Sequence, residues 1–309
     1  MRKRTRLRPR FYIYLVLLII AIFVLIRLAV HDGGSVFAPA PTPSPTPDVF
    51  QGIEINSQDA LLVELDSNGK EQVLFDKNGE VKAYPASLTK MMTAIVAIEN
   101  IPDLSTKITL NNKGIPADMS RAGFLTGETV SANDLLYGML LPSGAECAIG
   151  LADYVAGSQS AFVDMMNKEA QKIGMSNTNF ANCTGDQDED HYTTARDMVT
   201  LVEYVIKNDT FYKVFTTSQY STAPTNKHKN GITFHSTLFS RLSNPSFDGG
   251  QILGGKTGYT KEAGQCLATL SEKDGNQYIL VTLGADGDNT KDILHIDDAV
   301  KILSLAWSR

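Results

Sequence analysis

The sequence predicts an α+β fold: a mostly antiparallel sheet flanked by helices, with a helical lobe inserted into it and a cleft between the two. Three observations predict it. Early apolar runs, Ala60-Leu61-Leu62-Val63 and Gln72-Val73-Leu74-Phe75, are strand-like and are separated by the turn dipeptide Asn68-Gly69, so a hairpin is expected over about 59–76. After a Gly249-Gly250 break, short strands are expected at 251–257, 264–271 and 277–284, followed by a closing helix near 291–306. Between these ends, segments 131–141, 145–156, 159–173 and 194–207 carry apolar residues at three-to-four spacing and read as helices. Strands and a helix outside, with helices between, make a sheet domain with a helical insertion.

Taken in order, the chain opens with a basic tail, residues 1–10, holding six Lys/Arg and no acid. An apolar run from Phe11 to Ile26 follows and continues past Arg27 through Val30, reaching 20 residues. At ~1.5 Å per residue this spans the ~30 Å of a bilayer core, and Arg27 can snorkel to the headgroups. The basic tail predicts a cytoplasmic N-terminus and an extracytoplasmic remainder. No small-x-small site follows the run directly, so a single-pass anchor over 11–30 is expected rather than a cleaved signal peptide. Residues 31–48 read as a Pro-rich linker; 38–48, APAPTPSPTPD, favours polyproline II and spaces the domain by roughly 30 Å. Residues 49–309 are long enough for one globular domain with its own core.

Charge and cysteine usage exclude several function classes. Of 28 Lys/Arg, seven lie in residues 1–30, leaving 21 against 34 acids, or −13, for the rest of the chain. A domain of that sign has no electrostatic footprint for nucleic acid. The five histidines form no HExxH or comparable set, so a metal hydrolase has no ligands to stand on. Cys147, Cys183 and Cys266 read as small buried residues, with a Cys147–Cys183 disulfide left open.

The chemistry is expected in PASLTKMMTAIVAIE, residues 85–99. Pro85 followed by Ser87 starts a helix in which Met91, Ala94, Ile95 and Ile98 recur at helical spacing. Lys90 lies three residues after Ser87 on the same face, which sets an amine beside a hydroxyl: a base beside a nucleophile. A lysine with the ordinary pKa of about 10.4 is protonated at neutral pH. The helix N-terminus, an apolar wall and a second cation, Lys256, would each disfavour its charged form. Read alone, Ser87 fits an N-cap and Lys90 a solvated helix residue equally well. A second Ser-x-x-Lys, Ser67 to Lys70, falls in the Asn-Gly turn and reads as that turn.

Two further constellations supply partners. Ser143 in Leu-Pro-Ser-Gly-Ala-Glu (141–146) could bring a hydroxyl into the cleft as a proton relay, although Ser143-x-x-Glu146 is also a capping box. Gly254-Gly255-Lys256-Thr257-Gly258-Tyr259 ends a strand whose small residues let a substrate backbone lie alongside it. Residues 250–257 also satisfy the P-loop pattern, but no strand precedes Gly250 and no helical pattern follows Thr257, so an NTPase is disfavoured.

Together, Ser87-x-x-Lys90, Ser143-Gly-Ala145 and Lys256-Thr257-Gly258 resemble the three motifs of penicillin-binding proteins and serine β-lactamases. The stretches 177–206 and 254–269 are similar to the serine-type D-alanyl-D-alanine carboxypeptidases, the low-molecular-mass penicillin-binding proteins. The resemblance covers about residues 50–307 and implies the β-lactamase/transpeptidase-like fold. It implies Ser87 as nucleophile, Lys90 as its base, Ser143 as proton relay, and Lys256 and Thr257 as the grip on a terminal carboxylate. Gly258 and Tyr259 complete the substrate-binding strand, the N–H groups of Ser87 and Tyr259 forming the oxyanion hole. The substrate implied is a peptidoglycan stem peptide ending in D-Ala-D-Ala, with β-lactams as inhibitors and no cofactor. Two positions depart from the family: Ala145 stands where Asn is usual, and Asp186 follows Gly185 where an apolar residue is usual. Glu146 or a loop residue is expected to fill the gap at Ala145. No Glu-x-x-Leu-Asn deacylating loop lies between Ser143 and Lys256. The alternative from another class is a catalytically weak, membrane-tethered penicillin-binding or wall-sensing module.

Overall fold

The computed structural model describes residues 48–288 and 292–308; the basic tail, the anchor and nearly all of the linker lie outside them. Among the described residues no helix is long and apolar enough to cross a membrane. The chain runs β1 (Asp59–Leu65), β2 (Glu71–Lys77), α1 (Thr89–Asn100), β3 (Lys107–Thr109), β4 (Thr129–Ser131), α2 (Ala132–Leu140), α3 (Ala145–Ala156), α4 (Gln159–Ile173), α5 (Ala195–Val205) and α6 (Asp209–Phe215). It continues through β5 (Gln219–Ser221), β6 (Thr233–His235), β7 (Ser246–Phe247), β8 (Gly250–Thr260), β9 (Gly264–Lys273), β10 (Asn276–Ala285) and α7 (Leu294–Trp307).

Six strands form one sheet in the order β2-β1-β10-β9-β8-β7, with every pairing antiparallel. Strand periodicity of two sends alternate side chains to opposite faces. On β1, Leu61 and Val63 enter the core shared with the helical lobe, while Ala60 and Leu62 enter the core under α7. On β10, Ile279, Val281 and Leu283 face the lobe and Leu280 faces α7. Burial on both faces explains why these strands read as unbroken apolar runs rather than alternating ones. Helix α7 is fastened by Asp298, whose carboxylate accepts from Asn56 N, Asn56 Nδ2, Ser57 N and Ser57 Oγ at 2.9, 2.8, 2.7 and 2.6 Å.

The lobe holds α2, α3 and α4 packed against α1, and it reaches the sheet through α5. Helix α2 opens with a true capping box, Ser131 Oγ accepting from Asp134 N at 3.0 Å and Asp134 Oδ2 accepting from Ser131 N at 3.3 Å. The expected antiparallel sheet, flanking helices and inserted lobe are all present. Helix α6, the two-stranded pairs β3–β4 and β5–β6, and the two-residue β7 are additions that the pattern did not predict. Ser67 and Lys70 lie in the hairpin turn as read, where Asp66 accepts from the N–H of Lys70 at 2.9 Å. Cys147, Cys183 and Cys266 are buried free thiols, which closes the question of a Cys147–Cys183 disulfide. Burial raises all three thiol pKa values, so they behave as inert packing residues.

Candidate active site

The nucleophile turn is built before the helix rather than inside it. Ala86–Leu88 form a 3-10 turn, α1 begins at Thr89, and its N-cap position, Leu88, makes no side-chain cap. Ser87 is therefore not the helix cap that the motif alone allows. Its Oγ accepts from Lys90 Nζ at 2.9 Å. Ala86 sits at φ +46°, a left-handed conformation that a residue with a Cβ adopts only where its surroundings impose it. The imposing contacts are visible. Thr89 Oγ1 donates to Ala86 O at 2.8 Å and lies 2.6 Å from His191 Nε2, while His191 Nδ1 accepts from Ala181 N at 3.0 Å. That last bond puts the ring proton on Nε2, so the imidazole is neutral and donates to Thr89. Burial pushes the His191 pKa down to about 4, in keeping with that tautomer.

Lys90 is 3% exposed, and besides Ser87 it donates to Thr184 O at 2.5 Å. Burial lowers its pKa to about 8, against opposing effects from Cys183, Glu146, Cys147 and Asp186. Of the three causes expected, the apolar surroundings dominate. The repulsion between the two lysines shows on the other partner: Lys256, 1% exposed, is held well below its ordinary range by burial and then by the Lys90 charge.

Ser143 lies at φ +68°, the second strained non-glycine in the cleft, and its Oγ accepts from Lys256 Nζ at 3.0 Å. No capping box forms there: the N-cap of α3 is Gly144, without a side-chain cap. A Cβ on Gly144 would meet Ala122 Cβ at 2.7 Å and Gly138 O at 2.8 Å, so the small residue after Ser143 is a steric requirement. Lys256 also donates to Thr257 O at 2.6 Å, which holds its Nζ towards Ser143. Strand β8 then passes against the nucleophile turn at Gly258, where a Cβ would lie 3.0 Å from Ser87 N and 3.2 Å from Pro85 O. That close approach leaves room only for glycine where the strand crosses the nucleophile turn. Thr257 Oγ1 is paired with Thr237 Oγ1 at 2.6 Å.

A cavity of about 420 Å³ opens over Ser87 and Lys90, lined also by Ala145, Thr184, Asp186 and Tyr259; Ser143, Lys256 and Thr257 lie outside its lining. A larger hollow of about 720 Å³ shares Lys261 and Glu262 with it but contains neither Ser87 nor Lys90. At Ala145 the expectation divides. Glu146 Oε1 accepts from Gly123 N at 2.8 Å and its charge acts on Lys90, but a carboxylate has no N–H to donate, so it does not replace the missing amide. The loop residues Asp118, Met119 and Ser120 stand there instead, Ser120 O accepting from Ala145 N at 2.9 Å.

The geometry thus brings together Ser87, Lys90, Ser143, Lys256, Thr257, Gly258 and Tyr259, all of the residues predicted. Sequence reasoning missed Thr184, whose carbonyl holds Lys90, and Thr237, which holds Thr257. A backbone carbonyl and a lone threonine leave no recognisable pattern in a single chain.

A serine made nucleophilic by a desolvated lysine, with a second lysine–serine pair across the cleft, defines a serine acyl-transfer enzyme of the Ser–Lys class. Over residues 43–287 the chain matches the family described as peptidase S11, D-alanyl-D-alanine carboxypeptidase. D-alanyl-D-alanine carboxypeptidase DacF of Bacillus subtilis (strain 168) is 29% identical over 257 residues, covering 82% of this chain and 62% of that protein. DacC of Escherichia coli (strain K12), also a D-alanyl-D-alanine carboxypeptidase, is 32% identical over 260 residues, covering 78% of this chain and 60% of the relative. The crystal structure of the Streptomyces K15 DD-transpeptidase superposes with a TM-score of 0.72 at 26% identity, covering 83% of this chain and 99% of that one. The chain belongs to the D-alanyl-D-alanine carboxypeptidase family, peptidase S11. It spans about six-tenths of the Bacillus and Escherichia proteins and nearly all of the Streptomyces structure.

Proposed function

We propose that this chain removes the terminal D-Ala from peptidoglycan stem peptides through an acyl-enzyme on Ser87, and that β-lactams acylate the same serine. The observation that carries the reading is Lys90 Nζ, buried between Ser87 Oγ and Thr184 O at 2.9 and 2.5 Å. Neutral Lys90 takes the proton of Ser87 as Oγ attacks the carbonyl of the penultimate D-Ala. The N–H groups of Ser87 and Tyr259 receive the developing oxyanion. Ser143, its hydroxyl oriented by Lys256, passes a proton to the departing D-Ala amine. Lys256 and the half-buried Thr257 hold the substrate's terminal carboxylate. Water then releases the shortened peptide.

Joint retention of both lysine–serine pairs favours an active enzyme over a wall-sensing module. The anchor at 11–30 is part of the proposal: six basic residues before a 20-residue apolar run would hold the domain on the outer face of the membrane, tethered by the linker.

The test is labelling of the full-length chain with a reporter penicillin. Wild type is expected to take one covalent label, mapped to Ser87, and Ser87→Ala to take none. A Ser87→Ala protein that labels normally would place the nucleophile elsewhere.

A further inference from the structure

The segment Asn182–Asp186 forms the third wall around the nucleophile. Asn182 Oδ1 accepts from the N–H groups of Thr184, Gly185 and Asp186 at 3.1, 2.7 and 3.0 Å, and its Nδ2 donates to Asp186 O at 3.0 Å. The turn is therefore fixed from within by one side chain. It is also fixed to the catalytic helix, Thr93 Oγ1 donating to Cys183 O at 2.7 Å and Lys90 to Thr184 O. Gly185, at φ +81°, lies so close to the nucleophile turn that a Cβ there would sit 1.9 Å from Ala86 O and 2.9 Å from Ser87 N. Asp186 is the next residue. Its side chain is exposed to the cleft, lines the same cavity as Ser87 and Lys90, and is close enough for its charge to act on Lys90. On the far side, Thr260 Oγ1 donates to Gln187 Oε1 at 3.2 Å, tying the segment to β8.

An acyl-serine needs a hydrolytic water with a proton acceptor beside it. Lys90 is buried, whereas Asp186 is an exposed carboxylate lining the cavity that also holds Ser87. We propose that Asp186 is the base that activates the deacylating water, whether the acyl group on Ser87 comes from a peptide or from a β-lactam. The proposal rests on Ser87 being the acylated residue.

In the step, the water oxygen bonds to the ester carbonyl carbon as one of its protons passes to the Asp186 carboxylate. The tetrahedral intermediate collapses with breakage of the bond from carbon to Ser87 Oγ. The proton taken from water passes from Asp186 to Lys90, left neutral when its own proton went through Ser143 to the leaving amine, and from Lys90 Nζ to Oγ, so Asp186 is again a carboxylate and Lys90 again a neutral amine. The products are free Ser87 and a carboxylic acid, either the shortened peptide or a β-lactam opened at its amide. No metal or further reactant is consumed.

The experiment separates acylation from deacylation in the full-length chain with a labelled penicillin. Label uptake reports acylation, decay of label after excess reagent is removed reports deacylation, and a chromogenic cephalosporin follows steady turnover. Asp186→Asn and Asp186→Leu are expected to take label at nearly the wild-type rate, which also shows that they fold. They should release it more than tenfold more slowly, since a general base contributes ~10²–10⁴-fold. Asp186→Glu should restore part of the release. Normal uptake with release slowed by less than about tenfold in both variants overturns the proposal and leaves the nucleophile reading intact. No uptake by wild type overturns both.

Discussion

Lys90 shows how one residue converts burial into reactivity. Its amine is surrounded by protein, and burial brings the pKa to about 8. Only the neutral amine can accept the Ser87 proton. At pH 7 that form is about a tenth of the total, and it becomes the majority above pH 8. The acylation rate is therefore expected to rise about tenfold per pH unit below pH 8 and to level off above about pH 9, measured as the second-order rate of penicillin labelling. Lys90→Arg keeps the charge but cannot shed it, so acylation should fall by roughly a hundredfold or more and the rising limb should vanish. A retained limb in that variant would move the titrating base elsewhere. The pairing of Ser87 with Lys90 was legible because spacing of three along a helix is local information. The contact between Ser143 and Lys256 crosses 113 positions and was legible only through the resemblance of three motifs. Thr184 and Thr237 act through a carbonyl and a single hydroxyl, and nothing local marks either.

At the scale of elements, strands of seven residues or more and helices of nine or more were readable because they are long enough for their periods to repeat. The three-residue strands β3 to β6 and the seven-residue α6 are too short for a period to declare itself. Their pairing depends on partners far along the chain. The attachment of α7 is a similar case: its apolar face was legible, but the polar fastening was not. Asp298 is 1% exposed and collects four donors from Asn56 and Ser57, locking the helix to the segment leading into β1. Removing the carboxylate leaves the two buried donors of Ser57 without an acceptor, each costing about 1–3 kcal/mol where water cannot reach, while the exposed Asn56 turns to solvent. Asp298→Ala is expected to lower the free energy of unfolding by about 3 kcal/mol or more in chemical denaturation, while the penicillin-labelling rate of the folded fraction stays unchanged. Loss of less than about 1 kcal/mol would mean that water replaces the carboxylate there.

At the scale of the whole molecule, two buried histidines set the response to acid. His191 supports the nucleophile turn and His295 anchors the start of α7, its Nδ1 donating to Gln265 Oε1 at 2.6 Å. Burial lowers both pKa values from 6.5 to about 4. Between those limits the unfolded chain binds protons that the folded chain refuses, so stability must fall as pH drops from about 6.5 towards 4. A shift of that size corresponds to about 3 kcal/mol for each histidine. Glu203 opposes them: burial first, then Glu71, raises its pKa to about 7, so the folded state gains protons first and is favoured as pH falls below 7. Its side chain is only half-buried and solvent screens it, which leaves the two histidines dominant. The urea midpoint of the full-length chain is expected to fall steadily between pH 6.5 and 4.5, and to fall more steeply in Glu203→Gln, where the opposing gain is gone. A midpoint that stays level in both proteins would show that the histidines titrate alike in the folded and unfolded chains, and would remove the neutral His191 on which the hydrogen-bonding of the nucleophile turn depends.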